Sequence, residues 1–241
     1  MNSTDSTRLV AELVGVSYGY RRKAVLQDMS MHVAPGRIYG LLGRNGAGKS
    51  TTMKLLVGLI APSQGEVRIF GNPFTRQSLA FIGASIDGPA LYGHLSAAQN
   101  LAVHSALLGI KKEQIQSVLA TVGLGSTGRT PSSKFSTGMK VRLALAIAIL
   151  GDPRLLILDE PQNGLDPEGI RDLRSLLSAL AAEGRAILVS SHQLGEVEHI
   201  SDDIGVLAGG RLRYEGPLQA LAPDGDLERA YFALTETGEI R

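Results

Sequence analysis

The segment Gly43-Arg44-Asn45-Gly46-Ala47-Gly48-Lys49-Ser50 constrains this chain more than any other. It fits the pattern G-x-x-x-x-G-K-[ST] at every fixed position. A short apolar run, Arg37 to Leu42, precedes it and reads as a strand. After it, Met53, Leu56, Val57 and Ile60 recur at helical spacing, which predicts a helix with one buried face, broken by Pro62 and Gly65. A glycine-rich turn in that setting lets the backbone curl until successive N–H groups converge on phosphate oxygens. The helix N-terminus adds the positive end of its dipole. Gly43, Asn45, Gly46 and Gly48 then line a nucleotide's phosphates, and Lys49 reaches the β- and γ-phosphates. Ser50 places its hydroxyl on Mg²⁺, and Thr51 adds a further contact. An incidental Lys-Ser after a glycine turn would lack both flanks.

Composition narrows the setting. A length of 241 residues suits one domain, or one with a small subdomain. The net charge of +1 gives no strong field, so nucleic acid is not an expected partner. The absence of cysteine removes disulfides, thiolate metal sites and cysteine nucleophiles, and fits a reducing compartment. The longest apolar run, Leu143 to Leu150, falls well short of the ~18 residues a spanning helix needs. The polar start, MNSTDSTR, has no apolar segment of signal-peptide type. The expected location is therefore the cytoplasm, with any membrane role reached through a partner.

The rest of the chain alternates strands and helices, which predicts an α/β fold with a mostly parallel core sheet. Residues 1–8 are expected to be flexible, and 9–35 to form strands of an N-terminal antiparallel β subdomain. Val67 to Phe70 reads as a strand ending at Gly71. A helical subdomain is expected at about 90–150, inserted between earlier and later strands. Its last helix starts near Thr137 and carries Leu143, Ala146, Ile147 and Leu150 on one face. Leu155 to Leu158 and Ala186 to Val189 read as strands buried on both faces. Between them Asp166 caps a helix with Pro167 at its first position, and Gly184 ends it. Ile204 to Gly216 reads as two strands around Gly209-Gly210. Residues 217–241 form a C-terminal extension with a short helix at Leu218 and Leu221, available to a partner or a second copy.

Two acids end the first of those buried strands. Asp159 is the expected Mg²⁺ ligand, mostly through water, because Mg²⁺ keeps much of its hydration shell. Glu160 is the expected general base for an attacking water. His192 follows the second buried strand, where a neutral imidazole would touch the γ-phosphate and that water.

Phe135-Ser136-Thr137-Gly138-Met139 resembles the signature motif of ATP-binding cassette (ABC) ATPases, usually LSGGQ. With GRNGAGKST, LLILDEP, NGLDP and the late His192, the motifs of that family stand in their family order over residues 9–216. The resemblance implies a P-loop NTPase fold of ABC-ATPase type, ATP and Mg²⁺ as cofactors, and ATP hydrolysis coupled to transport. It implies that Tyr20 stacks on adenine, ahead of Tyr18 as a candidate. It implies that Ser136 and Gly138 meet the γ-phosphate held by a second copy. Gly164-Leu165-Asp166 looks like the loop linking the two sites of such a sandwich dimer. Membrane-spanning permease subunits, as separate chains, would place the protein at the cytoplasmic face of the membrane.

Two positions depart from the common family pattern. Asp87 stands where a glutamine usually contacts Mg²⁺ and water, and Met139 stands where the signature has Gln. Asp87 is shorter and ionised; it can ligate Mg²⁺ but cannot donate a hydrogen bond as Gln does. STGMK is similar to the signature variant of bacitracin- and lantibiotic-type exporters, whose lantibiotic self-protection branch carries an acid at the loop position. The expected function is the motor of a peptide-antibiotic exporter. The alternatives are an ATP-gated regulatory module of low turnover, which Asp87 motivates, and a general drug or ABC-2-type exporter motor.

Overall fold

The computed structural model describes residues 9–235 except Arg22 and Pro89, so the expectations for residues 1–8 and 236–241 lie outside the described residues. Among the described residues the strands form two sheets. The smaller has the order β2-β1-β4-β5, from β1 (Ala11–Tyr20), β2 (Lys23–Val33), β4 (Gln64–Ile69) and β5 (Asn72–Pro73), all antiparallel. The larger has the order β10-β9-β3-β8-β7-β6. Its strands are β3 (Ile38–Leu42), β6 (Ile82–Ser85), β7 (Leu155–Asp159), β8 (Ala186–Ser191), β9 (Asp203–Ala208) and β10 (Arg211–Pro217). All neighbours in it are parallel except β9 and β10.

The apolar runs explain why these strands lie at the centre. Successive side chains of a strand point to opposite faces, so a strand covered on both faces needs apolar residues throughout. In β7, Leu155 and Ile157 join one core while Leu156 and Leu158 join the other. In β8, Ala186 and Leu188 divide from Ile187 and Val189 in the same way. The first core lies between the two sheets and takes in Met53, Leu55 and Leu56 of α1 (Lys49–Leu56). The second is closed by α4 (Thr137–Ile149) and α5 (Pro167–Ala182), and by the smaller helices α2 (Ala97–Leu108) and α3 (Gln114–Thr121).

Several boundaries differ from the sequence expectation, each for a local reason. Helix α1 stops at Leu56 and does not reach Ile60. Gly58 takes a left-handed φ of 67°, and the last turn closes with Gly58 N–H to Leu55 C=O and Leu59 N–H to Lys54 C=O. Strand β4 begins at Gln64, ahead of the expected Val67. Gly65 belongs to it because a Cβ there would sit 2.4 Å from the carbonyl oxygens of Val14 and Gly15. Helix α4 is buried over more than one face: Ala144, Leu145, Ala148 and Ile149 are covered along with Leu143 and Ala146, and Ile147 is the partly exposed one. The part of the C-terminal extension that is described forms α7 (Leu218–Leu221) and a second helix, α8 (Leu227–Thr235), and both pack on their own sheet.

Helix α5 follows its expected boundaries. The Asp166 side chain accepts from the Gly169 amide at 2.8 Å, Pro167 opens the helix, and Gly184 takes a φ of 95° just past its end.

Truncating Leu188, fully buried between the sheets, to alanine is expected to cost about 2–5 kcal/mol of stability in urea unfolding. The same change at Leu107, 75% exposed on α2, should stay within about 0.5 kcal/mol.

Candidate active site

The loop 43–48 leaves the carboxyl end of β3 and feeds straight into α1. Ligands of open parallel sheets gather at such ends. The loop needs its glycines for different reasons. Gly48 lies at φ 115° and Gly46 at φ 83°, where side chains are strained. A Cβ on Gly43 would meet the Leu207 carbonyl oxygen at 2.6 Å, and one on Gly48 would meet Leu26 at 2.7 Å. A Cβ on Gly46 would meet nothing within 4 Å. Arg44 and Asn45 are exposed on the loop, and Thr51 is buried in the first turn of α1. No acid stands in that turn to cancel the helix dipole.

Lys49 is 5% exposed. Its ammonium donates to the Gly43 carbonyl at 2.7 Å and pairs with Glu160 at 3.2 Å. A buried ammonium requires such partners. Asp159 ends β7 directly beside Ser190 of β8. Its two oxygens accept from Ser50 at 2.7 Å and from Ser190 at 2.5 Å. The Ser190 hydroxyl also accepts the Glu160 amide at 2.9 Å. Glu160 then turns with φ 47°, a left-handed value that is unfavourable for a non-glycine residue and recurs at functional sites.

That turn surrounds the Glu160 carboxylate with donors. Asn163 donates to it at 2.6 Å, and His192 Nδ1 lies 3.0 Å from the same oxygen. Burial alone would push this carboxyl up, but the hydrogen bonds from Asn163 and Lys49 and the charges of Lys49 and His192 outweigh it. The net effect holds Glu160 below the usual carboxylate range. An ionised carboxylate only accepts, so the His192 Nδ1–H donates to it.

Asp87 lies on the loop after β6, also left-handed at φ 60°. It lines the same cavity of about 360 Å³ as Ser50, Asp159, Glu160 and Asn163. Its carboxylate pairs with Lys54 of α1 at 2.7 Å. Tyr20 stands at the end of β1, 47% exposed, with Tyr18 edge-on at 5.0 Å between ring centres. Ser136, Gly138 and Asp166 do not join this cavity. They line a neighbouring groove of about 770 Å³ with Gly164 and Leu165, which shares Val141 and Leu173 with the cavity. Ser136 caps α4, accepting from the Met139 amide at 3.2 Å.

Ser50 and Asp159 offer convergent oxygen donors. No group of three or more His, Cys, Asp or Glu converges for a metal among the described residues. A hard cation such as Mg²⁺ takes few protein oxygens and completes its shell with water and phosphate, so this pair fits it. Sequence reasoning passed over Ser190, Asn163 and Lys54. Ser190 carried a signal, since a serine ending a fully apolar strand must find a partner.

A family profile described as ABC transporter matches residues 26–163. The lantibiotic transport ATP-binding protein SrtF of Streptococcus pyogenes is 43% identical over 196 residues, covering 81% of this chain and 86% of that protein. The bacitracin transport ATP-binding protein BcrA of Bacillus licheniformis is 42% identical over 226 residues, 92% of this chain and 71% of that protein. A solved ATP-binding subunit of an ABC transporter superposes with a TM-score of 0.83 at 30% identity, covering 93% of this chain and 99% of its own. The chain belongs to the ABC transporter family, as an ATP-binding subunit whose ATPase activity is coupled to transport.

Proposed function

We propose that this subunit hydrolyses ATP with Mg²⁺ to drive export of a peptide antibiotic of the lantibiotic or bacitracin kind. The contacts that tie Lys49 and His192 to Glu160, and Ser50 to Asp159, with Ser190 joining the two acids, carry the catalytic part. The similarity to SrtF and BcrA supports the cargo.

The loop amides and Lys49 bind the β- and γ-phosphates, and Tyr20 offers its exposed ring to adenine. Ser50 and Asp159 would hold Mg²⁺, which would supply positive charge to the phosphate oxygens when bound. Glu160 polarises the attacking water, and His192 orients it beside the γ-phosphate. Phosphate binding gives Lys49 a stronger partner than Glu160 and releases a carboxylate oxygen for that water. Asn163 and the Ser190 hydroxyl keep Glu160 aimed during the exchange. Asp87, with Lys54, holds the cavity's rim and stands ready as a further oxygen donor.

Ser136, Gly138 and Asp166 serve a second copy, closing on the nucleotide held by that copy's cradle. Residues 9–216 form the nucleotide-binding domain, with the helical subdomain at about 90–150 and an extension over 217–241. No helix among the described residues is long and apolar enough to cross a membrane. Separate permease subunits would anchor the protein at the cytoplasmic face.

In an ATPase assay with the permease present, Lys49→Ala is expected to lose both ATP affinity and turnover. Glu160→Gln should keep ATP binding, lower turnover by about 10²–10⁴-fold, and accumulate an ATP-bound dimer on gel filtration. Wild-type turnover in Glu160→Gln would remove the assigned base.

The lowered pKa of Glu160 sets a pH dependence. The folded chain favours the carboxylate more than the unfolded chain does. That stability is complete above the unfolded value, about 4.3, and fades as pH falls through the lower folded value. The stability difference between wild type and Glu160→Gln should therefore shrink from about pH 6 to about pH 3 in denaturant titrations. A difference that grows on acidification would contradict it.

A further inference from the structure

The two sheets contribute to different ends of the nucleotide. Tyr20, offered to adenine, ends β1 of the antiparallel sheet, whereas the phosphate loop leaves β3 of the parallel one. Apolar packing fills the space between them, with Leu13, Met29 and Met31 from the first sheet and Leu41, Ile157 and Leu188 from the second. Such packing is not directional, so it sets the separation of the sheets better than their angle. The span from the adenine end to the phosphate end depends on that angle.

Directional contacts join β2 of one sheet to β10 of the other, each an edge strand with backbone groups to satisfy. Where β10 begins, the Gln27 amide donates to the Gly210 carbonyl at 2.8 Å, and Arg211 donates to the Gln27 side chain at 3.3 Å. Further along β2 the Glu215 carboxylate closes the seam. One of its oxygens accepts from the His32 amide at 2.6 Å and from the Tyr39 hydroxyl at 3.2 Å. The other lies 2.9 Å from His32 Nδ1. Room for this contact is built in. Tyr39 is 2% exposed, and Glu215 stands opposite Gly205 in the β9–β10 ladder. A Cβ on Gly205 would run into the Tyr39 hydroxyl, so the glycine opens the path from Tyr39 to Glu215. A buried phenol needs a polar partner, and the carboxylate is that partner.

We propose that Glu215 is a positioning residue for nucleotide binding: by tying His32 of β2 to Tyr39 of β3, it fixes the angle between the sheets and with it the span from adenine to phosphate loop. This rests on the nucleotide-binding reading above. Gln27 acts as the pivot. At roughly 3.3 Å per residue, His32 lies about 17 Å to one side of it along β2, and Lys23, the ladder partner of Tyr20, about 13 Å to the other. Slack at the Glu215 end therefore swings Tyr20 by a comparable distance.

Glu215→Ala removes the latch. In titration calorimetry on the full chain with Mg²⁺, its Kd for ATP should rise about threefold to tenfold. Its Kd for inorganic tripolyphosphate, which engages the phosphate loop without adenine, should stay at the wild-type value. Glu215→Gln should restore ATP affinity, since its amide oxygen accepts from the His32 amide and Tyr39 while its NH₂ donates to an unprotonated Nδ1. His32→Ala, at an exposed position, should show the same selective loss in smaller degree. Wild-type ATP affinity in Glu215→Ala overturns the proposal, and if that variant does not fold, wild-type ATP affinity in His32→Ala overturns it. So does an equal loss for ATP and tripolyphosphate, which marks Glu215 as support for the fold alone. Failure of the nucleotide-binding reading looks different and takes the inference with it: the unmodified chain would then bind neither ligand.

Discussion

The hydroxyl of Ser190 donates to Asp159 and accepts from the amide of Glu160, and the site depends on that one group. It joins two parallel strands at the carboxyl edge of the sheet, where β7 would otherwise end in two loose acids. The register of β7 and β8 places Asp159 opposite Ser190, and the burial of both strands on both faces fixes that register. A slip of one residue would drive Leu156 and Leu158 to the wrong core. The hydrophobic pattern of residues 155–158 and 186–189 therefore determines the catalytic geometry.

Charge balance around Glu160 follows from the same placement. The carboxylate is drawn in by Lys49, Asn163 and His192, and a left-handed backbone turn brings it there. Asp87, which lines the same cavity, repeats the arrangement with a left-handed turn and a lysine partner from α1. Helix α1 thus supplies a cation to each acid, Lys49 to Glu160 and Lys54 to Asp87. An acid at the Asp87 position is tolerated because Lys54 compensates its charge, whereas a neutral glutamine would need no such partner.

Much of this was legible in the sequence. The phosphate loop, the paired acids after an apolar strand, and the Asp166-Pro167 helix start all speak through local rules: fixed spacing, period and capping. The end of α1 was misjudged because Ile60 kept the helical period while Gly58 closed the helix. Residues whose importance lies in distant partners were silent. Lys54 meets Asp87 across the fold. Helix α4 read as one-faced because apolar periodicity cannot show that β6, α2 and α3 all pack against it. The finer roles at Tyr20, Ser136, Gly138 and Asp166 came from family motifs, because a single chain holds no partner for them.

The groove lined by Ser136, Gly138 and Asp166 is distinct from the cavity lined by Ser50 and Asp159, though the two share Val141 and Leu173, and in the proposed dimer they would act as two complementary half-sites. On the proposed reading neither half would be complete by itself. An enzyme built this way follows mass action in its own concentration. In dilute solution its rate per mole of protein rises as more protein is added, and it levels off once most chains are paired. Tethering two copies to a common permease raises their effective concentration and removes that dependence, so the membrane assembly sets the reaction order.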